Sequence, residues 1–555
     1  MNIRKYISYK SIIIVLTIVF FVVYSWFLVT ATLPGQESTG QLIFSWPDAM
    51  ANNYFIEHFV DNGNFKKVES LNQELSSIIH PRSANVLPNS GDVVPVSFLG
   101  FVIILGLIGK IIGLTLVRFI TPLAAVIAVF YFYKLISRIF NEQTGFLSAI
   151  LLFSLASFWY YASLVMLPTV LFTSLLIVGL YYFVLQGEEK YKWHYSALSG
   201  LLVGLALIVR LSELVWVLAL LLVITIAYKN KFNWTRLLYF ILGGIVPVAL
   251  LLGFNWQTYG SMFSFGYFNT TSNLDLLSKL PTEIEIGQSG SVIGFLKLLF
   301  IPFGFYETRI LGNIMNYFVL MFWPYVGVFI CGLIFWLRQW LKNRKVTAQL
   351  VYLIGSLVVF VILIIYYGSW QFVDKMVLEN NTIGSSYMRY WLPLNIIILP
   401  FIAYLLVQIN KLPLKKIWSN LIVGVVVFCL IGYSFALVYQ TPGDGLIDQK
   451  IVLQSYHDRA RTVQGLIFED SIVITDRTDK LLFPKYRVID FNLDYTIFTD
   501  LKKVINAQSV YYLNLLGEED IDYINDRKLQ GLGLKLVEPS QIDSVYKLYK
   551  LQNLE

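Results

Sequence analysis

The residues best suited to chemistry follow the first apolar segment of the chain. Residues 42–65 have the sequence LIFSWPDAMANNYFIEHFVDNGNF, in which Asp48 comes directly after Trp46-Pro47. Apolar residues then recur at helical spacing. Proline is favoured at the first helical position and acidic residues in the first turn, so we predict a helix that begins at Pro47. Asp48 is therefore either a carboxylate held for catalysis or only a helix cap.

Further polar candidates lie between apolar segments. Arg389 opens an apolar segment in the sequence GSSYMRYWLP. A guanidinium group can bind a phosphate through two parallel hydrogen bonds. The alternative is that Arg389 only anchors a helix at the membrane interface. The other charged or ionisable candidates of these segments are Glu57, His80, Arg82, Glu307, Arg309, Asp374 and Glu379.

Two other sets of charged residues have structural interpretations. Arg210 and Glu213 lie at a turn between apolar segments, where unpaired charge is costly, so we expect them to pair with each other. Asp476 and Asp479 lie in a turn-like setting near the C-terminus, and we expect both to be solvated.

The composition indicates a polytopic membrane protein. Of 555 residues, 57% are hydrophobic and 14% are charged. Several apolar segments approach the ~20 residues that a membrane-spanning helix needs. Cys331 and Cys429 are the two cysteines, and the four histidines lack ligand spacing, so neither a disulfide framework nor a metal site is predicted.

The motifs of several other protein classes are absent from the sequence. A Walker motif, a GxGxxG sequence before a helix and a metal-binding cluster are all missing, which argues against an ATP-driven pump. Clear internal repeats and mid-membrane charges, which are typical of secondary transporters, are also absent.

The placement of lysine and arginine predicts the topology. These residues concentrate in cytoplasmic loops, so the basic N-terminus, with Arg4, Lys5 and Lys10, is placed inside. We interpret the first apolar segment as a retained signal anchor, and residues 94–113 as a helix on the outer face with Lys110 at the interface. This scheme has eleven spans: 11–32, 114–132, 145–163, 168–186, 195–210, 211–228, 237–254, 314–337, 346–366, 389–409 and 417–439.

The composition changes after residue 440. Strand-like segments alternate with helix-like ones from there to the end of the chain, and the last two strands suit an antiparallel edge. We therefore predict an all-α transmembrane domain over residues 1–440, whose first outer loop is 33–113. A small extracytoplasmic α/β domain is predicted over 441–555.

Four segments of the chain resemble motifs of a known group of proteins. They are Trp46-Pro47-Asp48, His80-Pro81 with the helix that ends in Lys110-Ile111-Ile112-Gly113, NWQTYGSMFSFGY at 255–267, and SSYMRYWLP at 385–393. With these segments the chain resembles the GT-C superfamily of membrane glycosyltransferases, and it is similar to the branch related to protein O-mannosyltransferases and aminoarabinose transferases. The sequence departs from the family's pattern where Ala49, Thr169 and Arg82 replace an acid, an acid and a proline.

The resemblance implies a glycosyltransferase that uses a sugar on a polyprenyl phosphate. Asp48 is the expected general base on an acceptor hydroxyl, and Arg389 and Arg309 are expected to bind the donor phosphate. The acceptor is a protein, a lipid or a glycan outside the cell. The expected substrate contacts are Glu57, His80, Arg82, Tyr267 and Tyr390.

Further expectations concern cofactors and partners. A lipid-monophosphate donor carries little charge, so no cofactor is expected and a divalent metal is not obligatory. Membrane lipids are the expected surroundings, and no nucleic acid partner is expected. The alternative hypothesis is a non-catalytic membrane protein that binds or transports lipid-linked glycans.

The topology leads to a first prediction. In a variant without Cys331 and Cys429, Asp458→Cys should react with a membrane-impermeant thiol reagent on intact cells, because the basic loops place the C-terminal domain outside. Lys342→Cys is the matched control and should react only after permeabilisation. A protected Asp458→Cys would contradict this topology.

Overall fold

The computed structural model of the protein describes residues 8–185, 193–229, 233–266, 300–370, 381–413 and 415–554. Their contacts divide the chain into two compact units. We call the first the membrane unit, and it consists of Met1–Trp26, Phe119–Leu250 and Leu276–Asp448.

The second, which we call the sheet unit, consists of Phe27–Arg118, Leu251–Asp275 and Gln449–Glu555. It therefore combines the first predicted loop with the C-terminal segment. The predicted boundary at residue 440 stays a proposal about where the membrane-embedded part ends.

Most of the chain is helical, as the long apolar segments predict. The described helices that are long and apolar enough to cross a membrane are Tyr9–Glu37, Ile120–Ile139, Pro168–Leu185, Trp234–Tyr259, Trp323–Lys342, Ala348–Gly368, Leu392–Ile409 and Lys416–Gln440. In lipid the backbone groups have no water to bond, so a helix that satisfies them internally is the stable form for these segments.

Two further pairs of helices are bent. Glu142–Ser154 and Ala156–Ser163 meet at 51°, and Trp193–Val209 and Leu211–Ala227 meet at 115°. The described residues thus give 8 spans, or up to 10 if each bent pair is one span. The eleven predicted spans count the second pair as two. The polytopic all-α class is confirmed.

The remaining helical segments of the membrane unit are short. They are Glu307–Asn313, the π-helix Ile314–Leu320 and Ser386–Tyr390.

The sheet unit begins with the segment predicted to carry chemistry. A helix runs over Pro47–Asn62 as predicted, and a 3₁₀ turn follows at Ser70–Gln73. Strands β1 (Ala84–Val86) and β2 (Val93–Pro95) then pair antiparallel.

The segment predicted as a flat helix over 94–113 is shorter in the structure. A helix occupies Gly100–Ile112, and its 13 residues span about 20 Å at ~1.5 Å per residue. That length falls short of a hydrocarbon core of about 30 Å, so leaving it out of the span count is justified. A short turn of helix, Leu114–Val117, follows.

The C-terminal part of the sheet unit contains the predicted α/β elements. The helix Leu446–Gln464 leads into strands β3 (Ile472–Thr475), β4 (Arg487–Asp490), β5 (Val510–Asn514), β6 (Leu534–Gln541) and β7 (Lys547–Asn553), with short helices at Asp479–Leu482, Ile497–Leu501 and Glu518–Ile524. The sheet order is β4-β3-β5-β7-β6.

The pairing directions divide this sheet into two halves. Strand β3 pairs parallel with β4 and β5, whereas β7 pairs antiparallel with β5 and β6. The antiparallel edge predicted from the last two strands is therefore confirmed. One apolar core covers a face of this sheet and includes Leu75 and Ile79 from the first loop.

The helix that carries Asp48 is fixed by close packing. An ideal Cβ on Gly106 would lie 2.6 Å from Cδ1 of Phe59, so the Gly100–Ile112 helix touches the ring directly. Phe59 is 2% exposed, and its ring stacks on Phe65 with centroids 4.7 Å apart. The ring therefore has little room to move.

This packing generates a second prediction. Gly106→Ala should lower the free energy of unfolding by about 1–3 kcal/mol, because the added methyl group overpacks a filled interface. Thermal unfolding of the detergent-solubilised protein measures it. The matched control is Gly253→Ala, a helical glycine whose Cβ would meet nothing within 4 Å. Equal melting temperatures for the two variants would refute the packing argument.

Candidate active site

Asp48 is held at the start of its helix by another part of the sheet unit. Trp46 is extended, Pro47 opens the helix, and Asp48 lies in the first turn. Ser83 Oγ donates a hydrogen bond of 2.6 Å to Asp48 Oδ1. Ser83 has φ of 63°, a left-handed conformation that non-glycine residues seldom adopt. The carboxylate is thus half-buried and oriented by a side chain distant in sequence.

Arg82, predicted as a substrate contact, pairs with a residue of the C-terminal part. Its backbone N–H donates to Asp479 Oδ2 at 2.8 Å, and its Nε donates to Oδ1 at 2.8 Å. Its Nη2 lies 2.7 Å from the same Oδ1 and donates to the carbonyl oxygen of Arg477. A substrate contact for Arg82 stays a prediction, but this forked pairing occupies much of its donor capacity.

The prediction that Asp479 and Asp476 are solvated is wrong. Asp479 is 0% exposed and Asp476 is 7% exposed. Burial alone would raise the pKa of Asp479, but the charge and hydrogen bonds of Arg82 outweigh burial and lower it. Burial raises the pKa of Asp476 to about 6, and Tyr512 donates a hydrogen bond that opposes the rise.

His80 lies against the sheet. It forms an isolated parallel bridge with Ile489, and its Nδ1 lies 3.0 Å from the carbonyl oxygen of Pro81. Burial lowers the pKa of His80 below its ordinary value. This setting favours a neutral ring, and a substrate contact for it stays a prediction.

Glu57 pairs with an arginine that the sequence did not single out. Arg118 Nη2 donates to Glu57 Oε1 at 2.6 Å, and Arg118 Nε donates to Asn53 Oδ1 at 3.2 Å. Burial raises the pKa of Glu57, although the charge of Arg118 opposes the rise. The pair ties the helix of Asp48 to the residue that follows the short helix Leu114–Val117. Asn53 and Glu57 are four residues apart and so lie on one face of the helix. This spacing was the sequence signal that the two side chains could share a partner.

Arg389 and Tyr390 belong to an aromatic cluster in the membrane unit. Arg389 is 8% exposed, and its Nη2 donates to Ser386 Oγ at 3.0 Å. The ring of Tyr390 stacks on Tyr367 with centroids 4.6 Å apart. The guanidinium carbons of Arg389 and Arg210 lie 5.6 and 4.9 Å from the centroid of Tyr390. Burial of Arg389 argues against the anchoring alternative, since an anchor keeps its charge in water.

The predicted pairing of Arg210 with Glu213 is confirmed. Arg210 Nη2 lies 2.6 Å from Glu213 Oε1. Glu213 also accepts hydrogen bonds from the Tyr367 hydroxyl at 2.9 Å and from Trp216 Nε1 at 2.5 Å. These bonds satisfy the buried carboxylate, and they fix Tyr367 under the ring of Tyr390.

Arg309 contacts the residue that follows the helix Ala348–Gly368, which carries Tyr367. Its Nη1 donates to the carbonyl oxygen of Ser369 at 3.0 Å, and its guanidinium carbon lies 4.8 Å from the ring centroid of Tyr306. The side chain is partly buried. Its assignment to the donor phosphate stays a prediction.

An apolar cavity of about 130 Å³ lies among the helices of the membrane unit. Its lining is almost entirely hydrocarbon and includes Leu176, Leu220 and Ile396. Phe172 and Trp216 also line it, and both contact the Arg210–Glu213 pair, since Arg210 lies 5.9 Å from the Phe172 ring and Trp216 bonds to Glu213. Two residues of the cavity wall are therefore in contact with the Arg210–Glu213 pair.

Some of the predicted site residues lie outside the described part of the chain. These are Tyr267, Asp374 and Glu379. Within the described part, no group of three or more His, Cys, Asp and Glu side chains is arranged to hold a metal ion. The predicted independence from metals stays a prediction.

Comparison with known proteins supports the resemblance seen in the sequence. The model of the family described as dolichyl-phosphate-mannose-protein mannosyltransferase matches residues 93–253. The crystal structure of ArnT from Cupriavidus metallidurans bound to undecaprenyl phosphate matches with a TM-score of 0.50 at 10% identity, covering 97% of each chain. The chain has a GT-C fold.

Two other solved structures also match the chain. ArnT from the same organism in the apo state matches with a TM-score of 0.50 at 11% identity, again covering 97% of each chain. The oligosaccharyltransferase AglB from Archaeoglobus fulgidus, in complex with an inhibitory peptide and a dolichol-phosphate, has a TM-score of 0.48 at 11% identity, covering 92% of this chain and 70% of its own. No curated protein matches the sequence.

The arginine cluster generates a third prediction. Arg389→Lys should weaken binding of a polyprenyl phosphate, because lysine keeps the charge but loses the planar fork and the contact with Tyr390. Binding of the lipid phosphate to detergent-solubilised protein measures it. Arg344→Lys is the matched control, since Arg344 is exposed.

Two outcomes are informative here. Weaker binding with an unchanged melting temperature would support a phosphate site. Unchanged affinity in the Arg389→Lys variant would limit Arg389 to a structural role.

Proposed function

We propose that this protein is a glycosyltransferase that moves a sugar from a polyprenyl-phosphate donor to a hydroxyl group outside the cell. The observation that carries the proposal is the apolar cavity of the membrane unit, because its wall residues Phe172 and Trp216 contact the Arg210–Glu213 pair. Arg210 in turn shares the ring of Tyr390 with Arg389. A polyprenyl phosphate has an apolar chain, which suits an apolar cavity, and an anionic head, which suits arginine side chains. The undecaprenyl phosphate bound to ArnT belongs to this class of molecule.

The contacts around Tyr390 support a role for Arg389. Arg389 and Arg210 both lie against the ring of Tyr390, and Arg389 Nη2 donates to Ser386 Oγ. A buried cation attracts an anionic ligand strongly where water is excluded. Arg389 is therefore suited to stabilise the charge that develops on the departing phosphate.

Asp48 is the group proposed to act as general base. Its place in the first turn of a helix and its hydrogen bond from Ser83 both stabilise the ionised carboxylate. The packing of Phe59 on the Gly100–Ile112 helix holds this first turn in place. A general base must be ionised and held in position before the acceptor arrives.

The proposed reaction is a single displacement. An acceptor oxygen forms a bond to the anomeric carbon of the sugar while the bond from that carbon to the phosphate oxygen breaks. The proton of the acceptor hydroxyl passes to Asp48 and then to water. The lipid phosphate leaves with the electron pair of the broken bond, and Arg389 stabilises it.

Further parts of the proposal concern topology, metal and acceptor. The site faces the outer side, with the N-terminus in the cytoplasm and the C-terminus outside. The donor needs no metal to neutralise it, and the acceptor is a protein, lipid or glycan hydroxyl. The donor sugar is a hexose or a pentose.

The alternative function is a non-catalytic protein that binds or transports lipid-linked glycans. The observation that favours it is the pairing of Arg82 and Glu57 with protein partners, because this reduces the number of polar groups directed at a substrate.

The role of Asp48 leads to a fourth prediction. Asp48→Asn should lower the rate of sugar transfer by about 10²–10⁴-fold, since asparagine cannot accept the proton. Asparagine caps helices about as well as aspartate, so the fold should persist. Transfer from a radiolabelled polyprenyl-phosphate sugar to membrane acceptors, over a panel of sugars, measures the rate. Asp61→Asn, an exposed acid at the other end of the same helix, is the matched control.

The competing roles give different results. A cap role for Asp48 predicts near-normal transfer by Asp48→Asn, and that result would remove the catalytic assignment. A wild-type protein that binds the donor but neither transfers nor hydrolyses it would favour the non-catalytic alternative.

A further inference from the structure

The two chain segments that flank Asp48 in space are both held by one short helix of the C-terminal part. This helix is Asp479–Leu482, and we call it the clamp helix. It follows β3 after the sequence Asp476-Arg477-Thr478 and lies at the carboxyl end of that strand. Its side chains reach back to the first loop of the sheet unit.

The first attachment is the buried pair of Asp479 with Arg82. Asp479 Oδ2 accepts the backbone N–H of Arg82 at 2.8 Å, so the pair fixes the backbone of that residue as well as its side chain. Asp479 is 0% exposed, and a buried carboxylate without a partner is strongly destabilising. Arg82 therefore has one favourable position.

The second attachment lies just before Asp48. Lys480 Nζ donates to the carbonyl oxygen of Ser45 at 2.5 Å. Gln41 Nε2 in turn donates to the carbonyl oxygen of Leu481 at 2.5 Å. The chain that leads into Pro47 is thus held to the same helix.

These attachments converge on the carboxylate. Arg82 is followed directly by Ser83, whose hydroxyl donates to Asp48 Oδ1 at 2.6 Å. Ser83 is in the left-handed backbone region, a conformation that costs about 1–3 kcal/mol unless its surroundings hold it. The fixed backbone of Arg82 supplies that restraint.

We propose that the clamp helix is a positioning element, which sets the orientation of the Asp48 carboxylate through Arg82 and Ser83. This inference rests on the proposed function of Asp48 as base. Asp479, Arg82 and Ser83 do not react with substrate in this account. They hold one carboxylate oxygen, so that the carboxylate is already oriented when the acceptor binds.

The experiment compares Ser83→Ala, Arg82→Lys and Asp479→Asn in the full-length protein with the transfer assay. Each should lower kcat and leave KM for the donor unchanged, because Arg389, the proposed phosphate ligand, is not altered. A misplacement of about 1 Å in a reacting group costs roughly 10²-fold in rate, and we expect losses of up to that size.

The matched controls change similar side chains of the sheet unit that, in the described part of the chain, make no hydrogen bond or ion pair with Asp48, Ser83 or Arg82. Ser77→Ala removes a hydroxyl from the same loop, at a serine with φ of 65°. Asp470→Asn removes an exposed carboxylate from another pair of the C-terminal part. Both should transfer sugar at the wild-type rate.

The same changes are then made in an Asp48→Asn background. If Ser83, Arg82 and Asp479 act through the Asp48 carboxylate, changing them should not lower the residual rate of the Asp48→Asn protein any further. A further loss there would overturn the inference, because the residues would then act on something else. If Asp479→Asn does not fold, Ser83→Ala decides the question, since it removes only a hydroxyl group.

The possible failures are distinguishable. Normal transfer by Asp48→Asn would overturn the base role in the proposed function. An inactive Asp48→Asn together with wild-type kcat for Ser83→Ala and Arg82→Lys would overturn only the positioning role of the clamp helix.

Discussion

A charge that leaves water needs a partner, and this constraint decides where the functional groups of this protein lie. Burying an isolated ion costs several kcal/mol even after relaxation, so buried charges in proteins are paired or hydrogen-bonded. Here Arg210 pairs with Glu213, and Asp479 pairs with Arg82. Each pair does more than cancel charge. The first fixes Tyr367 under Tyr390, and the second fixes the backbone beside Ser83.

The apolar side chains impose a second constraint, because they favour surroundings without water. Long apolar helices satisfy their own backbone groups, so they can lie in hydrocarbon, and their small irregularities create internal space. The cavity of about 130 Å³ lies among such helices, and its wall residues Phe172 and Trp216 contact the Arg210–Glu213 pair. This contact is the basis on which an amphipathic donor is proposed. The chain shares the GT-C fold with ArnT.

Much of the fold was predictable because its signals are local. Helical periodicity and Pro47 located the helix of Asp48, and the strand-like segments after residue 440 located the sheet strands. The predicted helix over 94–113 was too long, because its first residues pair as strand β2 with β1. The error arises because contacts distant in sequence override periodicity.

The sequence by itself determined the membrane class, the order of the elements and the residue types available for chemistry, since these depend on composition and near-neighbour spacing. Only the tertiary structure decided which charged side chains are already paired with other groups of the protein. Asp479 looked solvated in sequence, yet it is buried against Arg82, which lies 397 residues away. Ser83 carried no signal at all, although it orients Asp48. Such pairings depend on which distant segments the folded chain brings together, and local sequence patterns do not indicate those contacts.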